Sequence, residues 1–169
     1  MTASLATPSL LLRAVRTEDL AALAGLLHRP QVRRFLLDDR LVPLDWIEEQ
    51  IAASGARFAG GSLGLFAAFE RLADRPLVGI AGGIAGEEGG QPELIYALAP
   101  AFQGRGLGRE MMAAVIGFAF ETLHWQRLCA SVDRPNLRSV ALLERLGFAR
   151  TGGEGDEEDA VLKYALTRG

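Results

Sequence analysis

Cysteine occurs once in the 169 residues, at Cys129, so the chain cannot close an internal disulfide. That is compatible with a reducing compartment, and a cytoplasmic location is the expectation. Histidine occurs twice, at His28 and His124, without ligand spacing around either, so no metal site is expected. Positive charge is not in excess. The net charge is −3, which leaves no electrostatic footprint for nucleic acid or an anionic membrane surface. No uninterrupted apolar run reaches membrane-spanning length. Met1 to Ser9 lacks the basic residues and long apolar centre of a signal peptide. Internal repeats and composition breaks are also missing, so no domain boundary is expected.

What remains is an ordinary globular composition, 49% hydrophobic and 23% charged. The length suffices for one domain with a real core. The Thr, Ser, Ala and Pro content of residues 1–9 predicts a flexible N-terminal tail, and residues 10–169 a single domain.

Leu10 to Val15 is a β-prone run. Thr17 is a good helix N-cap, with Glu18 and Asp19 in the first turn, and Leu20, Leu23, Ala24 and Leu27 follow helical spacing up to Pro30. Val32 to Leu36 reads as a second short helix. A third is predicted over Leu44 to Ala53, with Leu44, Ile47 and Ile51 inward and a stop near Gly55. Leu63–Glu70 and Leu77–Ala85 read as strands joined by the turn Asp74-Arg75-Pro76. After the loop Gly86–Gln91, Glu93–Leu98 is a further strand, closed by Pro100. A buried helix over 108–122 and a strand over 127–132 complete a β-α-β unit, expected parallel and right-handed. Asn136 caps a helix running to Leu146, Gly147 is a natural left-handed residue after it, and Phe148 folds back. Ala160–Leu166 is the last strand. The fold class is therefore α/β with a mixed sheet and not a doubly wound one.

The informative stretch is Gln103-Gly104-Arg105-Gly106-Leu107-Gly108, a glycine turn that opens a helix. A helix start offers free N–H groups and the positive end of the dipole, and glycines let an anion approach the backbone. That is a phosphate cradle. It is not a Walker A loop, because no Gly-Lys-Ser/Thr precedes the helix. It is not a dinucleotide fingerprint either, because the glycines stand at 104, 106 and 108 and position 109 is Arg. The third reading is a coenzyme A pyrophosphate loop.

The stretch resembles the Gln/Arg-x-x-Gly-x-Gly/Ala signature of the GNAT superfamily of acyl-CoA-dependent N-acyltransferases. Glu93-Leu94-Ile95-Tyr96-Ala97-Leu98-Ala99-Pro100 is similar to the strand that precedes that loop. Asn136-Leu137-Arg138-Ser139 and Leu143-Glu144-Arg145-Leu146-Gly147-Phe148 are similar to a later stretch of the family. The opening Leu-Arg and Thr-Glu-Asp, with Pro30-Gln31-Val32-Arg33-Arg34-Phe35, resemble the branch of ribosomal-protein N-terminal acetyltransferases, the Rim type. The resemblance runs from Leu10 to Leu166. It implies a GNAT-like mixed, mostly antiparallel sheet with a central parallel β-α-β unit and helices on both faces.

The resemblance further implies acetyl-CoA as donor and direct attack by a primary amine, with a peptide or protein α-amine favoured. A small-molecule amine (amino acid, polyamine or aminoglycoside) is the alternative acceptor. A non-catalytic acyl-CoA-binding regulatory module is an alternative from another class. The implied cofactor contacts are the backbone of Gln103, Gly104, Arg105, Gly106, Leu107 and Gly108, with Arg105 and Arg109 as charge partners. Tyr96, Ala97 and Leu98 would pair with the pantetheine arm, and Leu98 would offer a backbone N–H to the reacting carbonyl oxygen. Asn136 either contacts the cofactor or is a plain N-cap. Glu93 is the candidate base, acting through water, or an exposed strand-end carboxylate. Glu87 and Glu88 are weaker candidates. An α-amine has a pKa of about 7.7–8.0 against about 10.4 for lysine, so roughly a tenth is neutral at pH 7 without help.

The tyrosine that many superfamily members place four residues before the Gly-Phe pair is Leu143 here. Ser139 or a water is left to assist the departing thiol, which is itself a tolerable leaving group. Cys129, mid-strand, is expected to be a small buried side chain. The acidic run Glu154 to Asp159 reads as a solvated loop, or as an attractor of cationic acceptors. Phe35 and Trp46 pack or line an acceptor cleft. Superfamily members are often dimers, so a homodimer is an expected assembly, although no stretch of this sequence marks an interface.

Overall fold

The computed structural model of the chain describes residues 3–71, 76–86, 92–153 and 160–169. In chain order they form β1 (Ser4–Ala6), β2 (Leu10–Ala14), α1 (Leu20–Leu27), α2 (Pro30–Leu36), α3 (Leu44–Ala59), β3 (Leu65–Glu70), β4 (Leu77–Ile84), β5 (Glu93–Leu98), α4 (Leu107–Gly117), β6 (Arg127–Asp133), α5 (Leu137–Arg145), β7 (Ala149–Gly152) and β8 (Val161–Thr167). One eight-stranded sheet runs in the order β1-β2-β3-β4-β5-β6-β8-β7. Every neighbouring pair is antiparallel except β5 and β6, which are parallel.

Strand alternation divides the core into two layers. On one face Leu12, Phe66, Ala68, Ala81 and Leu94 pack with Met111, Met112 and Val115 of α4 and Leu143 of α5. On the other, Ala67, Ile80 and Ala97 pack with Leu23, Leu26, Val32, Ile47 and Ile51 of α1–α3. The same alternation puts Leu94, Tyr96 and Leu98 of β5 on the α4/α5 face, and Glu93, Ile95 and Ala97 on the α1–α3 face.

β5 and β6 touch in register at one pair only, Glu93 and Cys129. Beyond that pair the strands diverge, and the sheet opens between them.

Several local expectations are corrected. The flexible tail through Ser9 is not what forms: Ser4–Ala6 pairs with Leu11–Arg13, and Ala3 is buried. Glu110 of α4 anchors this segment, its carboxylate accepting from the Ser9 N–H at 2.7 Å and from the Thr7 hydroxyl. Thr17 is not a cap. Thr17–Asp19 is a 3-10 turn, and the buried Asp19 carboxylate takes the capping role, accepting from Arg16 N–H at 2.8 Å. Asp19 also accepts two 2.7 Å hydrogen bonds from Arg13 of β2. Burial pushes the Asp19 pKa up, but these donors outweigh it and hold the carboxyl below its ordinary value.

Pro30 opens α2 at its first position instead of only ending α1, because the missing N–H is unused there. α3 passes through Gly55 to Ala59, since Gly55 is exposed and the inward face continues through Ser54 and Phe58. Leu44 is exposed, not inward. β7 was not expected. The turn at 74–75 and the loop centred on 87–91 lie outside the described residues, as does the acidic run 154–159.

Ser54 is fully buried and joins α3 to β3. Its hydroxyl accepts from Leu65 N–H at 2.7 Å, the only polar group positioned to satisfy that donor among the described residues. Ser54→Ala leaves a buried N–H without a partner, and the expected loss is about 1–3 kcal/mol of stability in urea unfolding. An unchanged midpoint would show that the donor finds another acceptor.

Candidate active site

The divergence of β5 from β6 produces a cleft of about 930 Å³ that passes through the sheet. Its walls come from both layers: Gln31, Arg34 and Phe35 of α2 on one face, and Met112 of α4 with Ser139, Leu142 and Leu143 of α5 on the other. Residues 94–98 of β5 and 130–132 of β6 form the two lips.

The β5 lip has directed backbone. Ala99 N–H donates to Val78 on β4 at 2.8 Å, so alternation turns the N–H and C=O of Leu98 and Tyr96 toward the gap. The Gln103 side-chain amide donates to the Leu98 carbonyl from that side at 3.4 Å. Ala97 differs. Its carbonyl faces β4, where a Cβ on Gly79 would stand only 2.3 Å from it. The expected pantetheine pairing through the Ala97 backbone is therefore corrected: Tyr96 and Leu98 face the gap, and Ala97 contributes a cleft wall on the α1–α3 side.

The glycine turn follows. Gly104 and Gly106 have φ of +76° and +75°, a left-handed conformation that side chains resist, which explains glycine at both. Gly106 is the N-cap of α4, and Glu110 N–H is the donor to its carbonyl. The N–H groups of Leu107, Gly108 and Arg109 in the first turn have no intrahelical acceptor. Gly106, Leu107, Gly108 and Arg109 all line the cleft. This is the arrangement a pyrophosphate needs.

Two of the expected cofactor contacts are corrected. Gln103 N–H donates to Pro100 O at 3.3 Å and is not free for a ligand. Arg105 turns away from the cleft, pairing with Glu70 at 2.7 Å and lying over the Phe102 ring. Cation supply falls instead to Arg109, Arg138 and Arg145, which line the cleft with Arg34. Arg138 also donates to the Gln103 side-chain oxygen, bridging α5 to the glycine turn. Arg138 was missed in the sequence, although it carried a signal. A cation in the first turn of a helix opposes the dipole and requires another reason to be there.

At the start of α5 the Asn136 side chain accepts from Ser139 N–H at 3.3 Å, so the N-cap role is present, and Asn136 lines the cleft as well. Gly147, at φ +90°, ends the helix, with Phe148 N–H returning to Leu143 O at 3.0 Å. Ser139 Oγ lies 2.7 Å from the Tyr96 hydroxyl across the cleft. This pair of hydroxyls, 43 residues apart, follows no sequence spacing and was also missed. Burial raises the Tyr96 pKa above its ordinary value, with the Ser139 hydrogen bond a smaller opposing pull.

Glu93 stands at the point where the sheet begins to open, half-buried on the α1–α3 face and outside the cleft lining. Phe35 lines the cleft; Trp46 packs into the α1–α3 layer instead. Cys129 is exposed, correcting the expectation of burial: among the described residues the α1–α3 core layer takes in no residue of β6. Among the described residues no group of His, Cys, Asp and Glu is placed to hold a metal. No helix there is long and apolar enough to cross a membrane.

Solved structures share this architecture. An acetyltransferase from Agrobacterium tumefaciens superposes with a TM-score of 0.82 at 22% identity, covering 98% of this chain and 95% of that one. An acetyltransferase from Salmonella typhimurium that modifies the N-terminal serine of ribosomal protein L7/L12 gives 0.77 at 18% identity, over 96% and 97% of the two chains. A spermidine N-acetyltransferase from Vibrio cholerae, in complex with CoA and spermine, gives 0.78 at 20% identity, over 95% and 96%. A sequence profile of the acetyltransferase (GNAT) domain matches residues 9–149. The chain belongs to the GNAT acetyltransferase family and is an acetyl-CoA-dependent N-acetyltransferase.

Proposed function

We propose that this cleft acetylates a peptide or protein α-amine by direct transfer, with the donor on the α4/α5 face and the acceptor entering from the α1–α3 face. The observation that carries the reading is the opening between β5 and β6, which joins a phosphate cradle on one face to a cavity under α2 on the other. Acetyl-CoA supplies an acetyl group already activated as a thioester. The N–H groups of Leu107, Gly108 and Arg109, with the arginines at 109, 138 and 145, would hold its phosphates. Tyr96 and Leu98 would pair with its extended arm, and the Leu98 N–H would face the carbonyl oxygen as negative charge develops there. A protein that works on acetyl-CoA in this way is proposed to act in the cytoplasm, and a homodimer is kept as its proposed assembly.

The α-amine is favoured over a lysine-type amine on charge. Arg34, Arg109, Arg138 and Arg145 are the charged side chains among the described lining residues, and no carboxylate is among them. An α-amine is partly neutral at pH 7 and needs only weak assistance, whereas an ammonium of pKa about 10.4 needs a strong base nearby. Glu93, on the acceptor face two residues before Ile95, is the proposed base, acting through water. The spermidine enzyme among the structural relatives keeps a small amine as the second reading.

A thiol-release screen decides between them. Peptides with free N-termini are expected to release CoA, while polyamines and N-terminally blocked lysine peptides are not. The reverse pattern would transfer the assignment to small amines.

Gly108 tests the cradle. A Cβ there has nothing closer than 3.8 Å, so the fold accepts a side chain. Gly108→Ala should leave thermal stability unchanged, and Gly108→Glu should weaken CoA binding by more than about a hundredfold in calorimetry. Retained affinity in Gly108→Glu would move the phosphate site elsewhere. Glu93→Gln should lower kcat at neutral pH by roughly tenfold to a hundredfold and recover partly at high pH, where the amine is already neutral. A pH–rate profile identical to that of the parent would dismiss Glu93 as base.

A further inference from the structure

We propose that Tyr96 is a positioning residue for Ser139: its hydroxyl donates to Ser139 Oγ, so that the Ser139 hydroxyl hydrogen points into the gap as a donor to the departing sulfur of CoA. The proposal rests on the reading of the cleft as the acetyl-CoA site.

The geometry limits the choice of partners. Tyr96 is on the α4/α5 face of β5, and with Leu98 and Leu142 it borders the first turn of α4, where its ring would stand 3.9 Å from a Cβ on Gly108. The phenol is half-buried, and Ser139 Oγ at 2.7 Å is the acceptor the structure provides for its hydrogen among the described residues. Ser139 is differently placed. It lines the cleft, and its backbone N–H is already held by Asn136. A hydroxyl is one donor and two acceptor sites. With one acceptor site filled by Tyr96, the remaining freedom of Ser139 is the direction of its own hydrogen, and the polar space open to it is the gap. The order is therefore Tyr96 to Ser139 to cleft.

The chemistry balances without a net proton transfer within the pair. When the C–S bond breaks, its electron pair stays on sulfur, and Ser139 donates a hydrogen bond to that charge. Burial holds the Tyr96 phenol protonated through the neutral range, so it stays a donor throughout. Ser139 is polarised by the hydrogen bond it accepts, which strengthens the one it gives. The arginines lining the cleft are the same in each variant described below.

The test needs no acceptor. CoA is bound to the full-length protein, and its thiol is titrated by the ultraviolet absorbance of the thiolate. A hydrogen bond that prefers the charged sulfur lowers the pKa of the bound thiol below that of free CoA titrated alongside, by about half a unit to one unit. Tyr96→Phe and Ser139→Ala are each expected to return it toward the free value by similar amounts, and the double variant to add nothing further. CoA affinity near pH 7, where the thiol is neutral, should change less than about threefold in all three, because the interaction favours the charged form. Ser139→Thr, which keeps the hydroxyl, should retain the lowered value and guards against a general disturbance of α5.

A thiol pKa in Tyr96→Phe equal to that of the parent would overturn the proposal, as would effects of the two single variants that add. Failure of the parent protein to bind CoA at all would overturn the cleft assignment and the proposal together. That outcome is distinct from bound CoA with an insensitive thiol, which removes only the role of Tyr96.

Discussion

The site depends on one constraint: two parallel strands that pair at a single position and then part. Antiparallel neighbours hold β5 along its other edge from Gly79 to Ile84, so it cannot follow β6. Its remaining edge, past Glu93, is left with N–H and C=O groups that no strand among the described residues satisfies. A sheet edge of that kind is normally a liability to be covered. Inside a cleft it becomes a template for an extended ligand, since strand-like pairing needs only directed backbone groups. The same β-α-β unit that parts the strands brings α4 back over them, so the free N–H groups of the helix start arrive at the carboxyl end of β5. Phosphate cradle and strand template are thus two consequences of one connection, as at the carboxyl edge of other parallel sheets.

Charge follows the same division. The chain as a whole carries −3, but the charged side chains among the described residues lining the cleft are arginines. Net charge governs solubility and long-range steering; a low-dielectric groove is governed by what lines it. Arg105 shows that a cation next to the glycine turn in sequence is not a cation next to a ligand in space. Its pairing with Glu70 ties the turn to the end of β3, where an exposed ion pair contributes little stability but restricts the loop.

Local rules were legible in the residues and long-range apposition was not. The glycine turn, the Asn136 cap and the Gly147 terminus each satisfy a requirement of the backbone within a few residues, and each forms where the sequence pattern places it. Helix α3 overran its expected end because the cost of one exposed glycine, about 1 kcal/mol, is smaller than the gain from burying Phe58. Cys129 alternates with Leu128 and Ala130 as a strand residue should, but which face of a sheet is covered depends on where the helices end up. β1 exists because Glu110, a hundred residues away, accepts from Ser9 and Thr7. Tyr96 and Ser139 meet for a similar reason: β5 and α5 form opposite walls, and no local pattern reports that.

The absence of a tyrosine at position 143 acquires a physical meaning from those walls. Leu143 is buried and belongs to the apolar layer that packs α5 on the sheet. A phenol in its place would exchange core packing for a polar group that must find a partner there. One turn earlier on the same helix face, about 5–6 Å along the axis, Ser139 already offers a hydroxyl to the cleft. A serine is shorter than a tyrosine and its hydroxyl rotates freely, so alone it would be a poorly directed donor. The phenol that directs it comes from β5, where its ring packs among apolar neighbours and its oxygen meets Ser139. Reach and direction, which a single tyrosine on α5 would combine, are divided here between a strand and a helix whose relative position is fixed by the core between them.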